Sequence, residues 1–398
     1  MSSENDSIKQ IHPFTSIDDA FVQILNKITY LEKTTETMSP VSPINLDDPD
    51  IDIDQVYKAI QKKLNNLIHR LPPPAKSPPF SQRVQQKRKV KFNFDISNNS
   101  KSAITSFLEL PNKNLVIGRK DGNIQLLLVN YQLKKVATFF TRKIHKDEII
   151  SLCYLKSQIL ITCSWDYSIT IFQIQNNSLV KLNMLKIKEG YPRKVIALSN
   201  YRFVYCADNS PIQIIEISNV TNMGCTIKCI ASLREREGAT NAILLQSKTI
   251  LAACYYNMYS IQFWDLQHYN QINTVKNAYT FSPNGMIELS NSFIAVSQYN
   301  SPFHITIIDP FKFEIVKQIT SKYISGCSSL CLVNNDTFVY VYHKRIVLIS
   351  CDNFEIIGIT SASNVQGKGG IILVNDNKYL AIHNNVSGIG LFEILYNN

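Results

Sequence analysis

The chain has 398 residues, 45% hydrophobic and only 18% charged, a composition that buries a large core and excludes wholesale disorder. No apolar run reaches the roughly 18 residues a membrane span needs, and the start, MSSENDSIKQ, lacks the basic and apolar regions of a secretory signal. A soluble protein is expected, cytoplasmic or nuclear and not secreted, with no membrane insertion and a net charge of +10 that favours acidic partners.

Residues 1–91 hold 13 Lys/Arg against 11 Asp/Glu, leaving 28 against 20 in the rest, so the excess reads as spread over the globular part. Residues 1–71 predict a helical and partly disordered extension. One amphipathic helix is expected over about 16–33: Ser16 caps it, Asp18 and Asp19 lie in its first turn, and Phe21, Ile24, Leu25, Ile28 and Leu31 recur at three and four. A second is expected over about 54–70, with Val56, Tyr57, Ile60, Leu64, Leu67 and Ile68 on one side. Pro40, Pro43 and Pro49 forbid a continuous helix between them.

An apolar stripe outside the main domain needs a partner. Phe21, Ile24, Ile28 and Leu31 are therefore candidate partner-binding residues, for another protein or for a coiled-coil-like dimer. The alternative is that the helix packs within its own chain. Ser39, Ser42 and Ser77 each precede a proline and are candidate phosphorylation sites, where a phosphate adds about −1.5 to −2 charges. The five aspartates from Asp47 to Asp54 are either a solvated segment or a docking strip for a basic partner. Residues 72–89 read as a Pro-rich and basic linker. LPPPAKSPPF has five prolines in ten residues, and Lys87, Arg88 and Lys89 in QKRKVK are candidate nuclear-import residues.

From Val90 the period changes from helical to alternating, and it repeats. Strand starters recur at Ile124, Ile169, Ile212, Ile261, Ile305, Ile346 and Ile389, spaced 45, 43, 49, 44, 41 and 43 residues apart. Three residues after each stand Leu127, Phe172, Ile215, Trp264, Ile308, Ile349 and Phe392, all large and apolar. About a dozen residues before each starter lies another apolar run: LVIG, ILIT, FVYCA, ILAAC, FIAVS, FVYVY and YLAIH. Seven units of this length predict an all-β fold, a seven-bladed β-propeller of four-stranded blades over residues 90–398. The last repeat ends soon after its third strand, while VKFNFDI at 90–96 alternates ahead of the first. The N-terminal strand is thus expected to complete the last blade and close the ring, leaving no open sheet edge at the seam.

The best-formed unit, IHKDEIISLCYLKSQILITCSWDYSITIFQI at 144–174, resembles the WD-repeat family, as do Asp121 in the turn of blade 1 and the Trp264-Asp265 dipeptide of blade 4. The resemblance covers about residues 90–398. It implies that the family's His–Ser–Asp–Trp network falls on His145, Ser151, Asp166 and Phe172, the last without an N–H to donate. The turn aspartate is missing from blades 3 to 7, so hydrophobic packing is expected to hold those blades together.

Nine cysteines, an odd number, argue for free thiols buried as small hydrophobes. No phosphate-binding loop, nucleophile elbow or metal helix occurs, and the seven histidines are scattered singly. A non-catalytic protein–protein interaction scaffold with no cofactor and no metal is expected, its propeller surface and N-terminal helices docking several components of a multiprotein complex. Candidate surface residues are Arg142, Lys143, His145, Arg193 and Lys194, all in connections between strands. For His145 the stronger expectation is a turn-stabilising donor between blades. The alternative function is a nucleic-acid-associated scaffold in a ribosome-assembly or chromatin complex, suggested by a pI near 9, the QKRKVK run and 38 Phe/Tyr residues.

Overall fold

The computed structural model describes residues 89–96, 102–175, 178–233, 238–280, 283–298, 304–320, 329–342, 344–362, 370–383 and 388–395. The helices expected over about 16–33 and 54–70, with Phe21, Ile24, Ile28 and Leu31, lie outside the described residues. So do Ser39, Ser42, Ser77, Lys87 and Arg88.

Seven four-stranded antiparallel sheets follow one another along the chain. Blade 1 runs from Ile104 to Lys143, blade 2 from Ile149 to Lys186, blade 3 from Pro192 to Leu233 and blade 4 from Ala239 to Val275. Blade 5 runs from Pro283 to Thr320 and blade 6 from Leu330 to Ser361. Blade 7 combines Ile371–Val374, Tyr379–His383 and Ile389–Leu395 with the N-terminal strand Lys89–Ile96. Among the described residues the single helical piece is a 3-10 turn at Tyr256–Met258. The protein is a seven-bladed β-propeller.

The seven isoleucines that marked the repeat all lie on third strands, and each is exposed by 1% or less. Two-residue alternation sends successive side chains to opposite faces of a blade, and in a ring both faces meet a neighbour. The core is accordingly divided into apolar wedges between successive blades. Leu126 and Val116 of blade 1, for example, meet Leu160 and Phe172 of blade 2. Truncating one such side chain to alanine costs about 3 to 5 kcal/mol for a phenylalanine.

Closure follows the expected route. Lys89–Ile96 pairs antiparallel with Ile389–Leu395, with Phe92 opposite Phe392 and their rings edge to face at 5.4 Å. Val90 is buried in the wedge shared with blade 6. The strand begins at Lys89, one residue earlier than expected, so the basic cluster ends inside the sheet.

A second repeated device lies on the first strands. Blades 1 to 5 each carry a register shift near the start of that strand, after Ile104, Ile149, Pro192, Ala239 and Pro283. A bulge of this kind re-aims the residue that follows it. Those residues are Ser106, Ser151, Lys194, Asn241 and Gly285, and four of them stitch to the next blade. Ser106 Oγ donates to Ile149 O at 2.7 Å, Ser151 Oγ accepts from Val195 N at 3.2 Å, Lys194 Nζ donates to Asn241 Oδ1 at 2.6 Å and Asn241 Nδ2 donates to Asn284 O at 3.0 Å.

The eight described cysteines are free. Five are buried as expected, but Cys225 and Cys331 are half-buried and Cys229 is exposed, so burial is less general than the sequence led one to expect. Cys225 and Cys229 sit on Gly224–Leu233, the outer strand of blade 3, where one edge of the sheet faces solvent.

Candidate interaction surface

Up-and-down strand order gathers two kinds of loop at one end of the propeller: the turns between second and third strands, and the connections from one blade to the next. Blade 2 ties these two kinds of loop together by hydrogen bonds. Its turn is Trp165-Asp166-Tyr167, and Asp166 holds it. The Asp166 carboxylate accepts from Lys146 N at 2.8 Å, Ser168 N at 3.1 Å and Ser168 Oγ at 2.5 Å, and lies 3.0 Å from His145 Nδ1. On the other side of the ring His145 Nε2 is 2.8 Å from Thr162 Oγ1. This geometry fits a neutral imidazole whose Nδ1–H donates to the aspartate while Nε2 accepts from the threonine.

Burial lowers the His145 pKa, against the opposite pull of the Asp166 charge. Burial also disfavours Asp166 ionisation, but the bonds from Ser168, the Lys146 backbone and His145 outweigh it and hold the carboxyl below its usual range. The network differs from the one the resemblance implied. Thr162 on the second strand fills the hydroxyl role, not Ser151, because the bulge after Ile149 turns Ser151 toward blade 3. Phe172 is buried in the wedge with blade 1 and contributes packing alone.

This clamp fixes the residues on either side of Asp166. Trp165 N donates to Glu148 O at 3.0 Å, and Tyr167 O accepts from Ile187 N at 2.8 Å, so the turn is held by the connections entering and leaving blade 2. Tyr167 adopts a left-handed backbone, φ 61°, which the surrounding bonds must sustain. The next connection is equally constrained. Gly190 has φ 76°, and a Cβ there would lie 1.5 Å from Asp208 O. Tyr191 follows, its carbonyl accepting from Asp208 N at 2.8 Å.

The result is a group of held, outward-facing aromatic rings. Trp165, Tyr167 and Tyr191 are 37%, 39% and 53% exposed, and the two tyrosine rings are 5.1 Å apart. A hydrogen bond shared with Tyr191 raises the Tyr167 pKa. Lys146 and Lys188 are exposed on the same two connections, each followed by an exposed carboxylate, Asp147 and Glu189. Rigid aromatic side chains with cations beside them lose little conformational entropy on binding and are the residue types that dominate protein interfaces.

The residues expected at the surface divide. Arg142 and Lys143 are exposed where the outer strand of blade 1 runs into this end. Arg193 is exposed, but its guanidinium is bonded to Asp208, with Nε at 2.8 Å. His145 is 3% exposed and belongs inside the clamp. Lys194 is turned inward by the bulge at Arg193, with its ammonium on Asn241 and its pKa lowered by burial. Trp165, Tyr167 and Tyr191 were missed, although each is an aromatic residue standing outside the alternating strand positions.

The charge distribution also differs from the expected spread. Residues 92–233 hold 17 Lys/Arg against 9 Asp/Glu, whereas residues 234–398 hold 11 against 11. The propeller's whole excess therefore lies on blades 1 to 3, the blades that carry the aromatic group.

Two further buried cations or bases lie near the blade 7–blade 1 junction. Arg119 is fully buried, its Nε donating to Gln125 Oε1 at 2.7 Å. His383 is 4% exposed with neither ring nitrogen hydrogen-bonded, and burial, then the Arg119 charge, lower its pKa to about 4. Among the described residues no group of three or more His, Cys, Asp or Glu is placed to hold a metal ion, and no helix is long and apolar enough to cross a membrane. No protein-family model matches the chain, and no curated protein matches it.

Proposed function

We propose that this protein is a non-catalytic interaction scaffold, a divergent member of the WD-repeat family working in the cytoplasm or nucleus. Its propeller docks acidic protein partners on the aromatic end of blade 2, and its N-terminal helices recruit a further component. Tethered contacts of this kind raise one another's effective concentration. The observation that carries the reading is the set of exposed rings, Trp165 and Tyr167 held by the Asp166 clamp and Tyr191 by its bond to Asp208, on blades that bear the excess positive charge. The WD-repeat assignment is supported by that clamp, which joins a connection histidine to a turn aspartate and a strand hydroxyl. The free thiols are in keeping with a reducing compartment.

Nucleic-acid-associated scaffolding is the second reading, favoured by the same charge concentration, since basic surfaces attract phosphate in proportion to the contacts made. One experiment separates the two: affinity purification of tagged full-length protein and of residues 86–398 from native cells, with and without nuclease. Protein partners that stay on both baits after nuclease are expected. Baits that hold nothing, or partners released by nuclease alone, contradict the protein-scaffold reading.

A further inference from the structure

We infer that the opposite end of the propeller carries a separate docking site for an acidic peptide, in a cavity at the mouth of blades 2, 3 and 4. The inference rests on the scaffold reading but uses none of its residues. At this end the hairpins between first and second strands converge on the channel. Several are tied to their neighbours: Ser157 Oγ donates to Asn200 O at 2.5 Å between blades 2 and 3, and Gln246 N donates to Glu288 Oε2 at 2.6 Å between blades 4 and 5. Blade 7 is joined to blade 1 in the same way, Asn375 N to Glu109 Oε1 at 2.7 Å. Among the described residues no hydrogen bond joins the hairpin of blade 3 to that of blade 4, and the cavity opens there.

Its volume is about 570 Å³, within the range of ligand-binding clefts. The walls are Tyr154, Ala197, Leu198 and Leu244, all half-buried side chains that leave apolar surface in contact with water. Lys156 on the blade 2 hairpin and Lys248 on the blade 4 hairpin stand exposed at its edges, on either side of blade 3. Neither ammonium is paired with a carboxylate among the described residues, and no acidic residue lines the cavity.

An apolar floor between two separated cations is complementary to one kind of occupant: an extended segment with a central aliphatic or aromatic residue and carboxylates on both sides. Electrostatic complementarity of this kind sets specificity as well as encounter rate. A nucleic acid would present phosphates in number to two lysines and leave the apolar floor unmatched.

The test is an array of octapeptides probed with full-length protein. Each peptide has one Leu or Phe flanked on both sides by Asp or Glu, and matched peptides carry Ser or Lys in the flanks. The tightest acidic peptide, labelled with fluorescein, then gives Kd by fluorescence polarisation. Acid-flanked peptides are expected to bind at least about tenfold more tightly than Ser-flanked ones. The Lys156→Ser/Lys248→Ser pair should remove about tenfold, and Lys248→Ser alone about threefold, in line with exposed charge pairs. Lys378→Ser, an exposed lysine on the blade 7 hairpin at the same end but outside the cavity, should leave the affinity unchanged.

Equal binding of acidic and Ser-flanked peptides overturns the inference, as does an unaltered Kd in the lysine variants. Tighter binding of an octamer of uridylate at the same lysines also overturns it, in favour of nucleic acid. Should the lysine variants lose no peptide yet still capture the wild-type partners, the cavity site falls while the scaffold reading stands. Thermal midpoints equal to wild type check that the variants are folded.

Discussion

Asp166 gathers donors from its own turn, from the preceding connection and from a buried histidine, and in doing so converts a three-residue turn into a rigid platform. A different buried residue makes the ring sensitive to acid. In Gly118, Cys163, Cys254 and Ser297, opposite the third-strand isoleucines of blades 1, 2, 4 and 5, the second strand carries a small side chain. Blade 6 has Val341 and blade 7 has His383 at that register. The His383 pKa falls to about 4 in the folded protein against about 6.5 in the unfolded chain. The unfolded state therefore binds more protons between these values. Its contribution to stability is complete above about pH 6.5 and declines by roughly 3 kcal/mol as pH falls to about 4. His145, also depressed by burial, acts in the same direction. Thermal unfolding of wild type should thus weaken steeply from pH 7.5 to 5, and His383→Val should weaken distinctly less. Parallel pH profiles would show that folding does not depress the His383 pKa.

At the scale of elements, the connection leaving blade 2 and the closing strand are the two places where a short segment governs a large effect. Gly190→Ala introduces a Cβ into Asp208 O at a positive φ, so the connection must move. Tyr191 moves with it. A destabilisation of about 1 to 3 kcal/mol is expected, read as a lower denaturant midpoint together with weaker partner binding. The closing strand is tested by Val90→Asp, which places a charge in the wedge between blades 6 and 7. It should unfold the ring or lower its thermal midpoint by many degrees, and unchanged melting would mean the ring closes without this strand.

These elements differ in how far the sequence disclosed them. The third strands were legible because a two-residue alternation repeated at 41 to 49 residues leaves few other folds. The closing strand was legible because the last repeat lacked a fourth strand. Lys194 was misplaced because a bulge reverses the face of every residue after it, and a bulge has no sequence signal as strong as alternation. Thr162 was passed over for Ser151 for the same reason. Trp165 and Tyr167 stood in plain view within SWDYS, but their exposure depends on bonds from Glu148, Ile187 and His145, contacts that only the folded ring creates.

Over the whole molecule, the wedges between blades make a stiff ring, and function falls to what the ring presents at its two ends. One end offers the held aromatic rings Trp165, Tyr167 and Tyr191. The other offers an apolar cavity edged by Lys156 and Lys248. The most direct measurement is the affinity of a nuclease-resistant protein partner for wild type and for Trp165→Ala/Tyr191→Ala, with the same melting temperature established for both. An interface aromatic residue of this kind carries about 2 kcal/mol or more, so even if one of the pair dominates, a loss of at least about thirtyfold is predicted. Equal affinity in the two proteins would contradict the assignment of the blade 2 end as the docking surface.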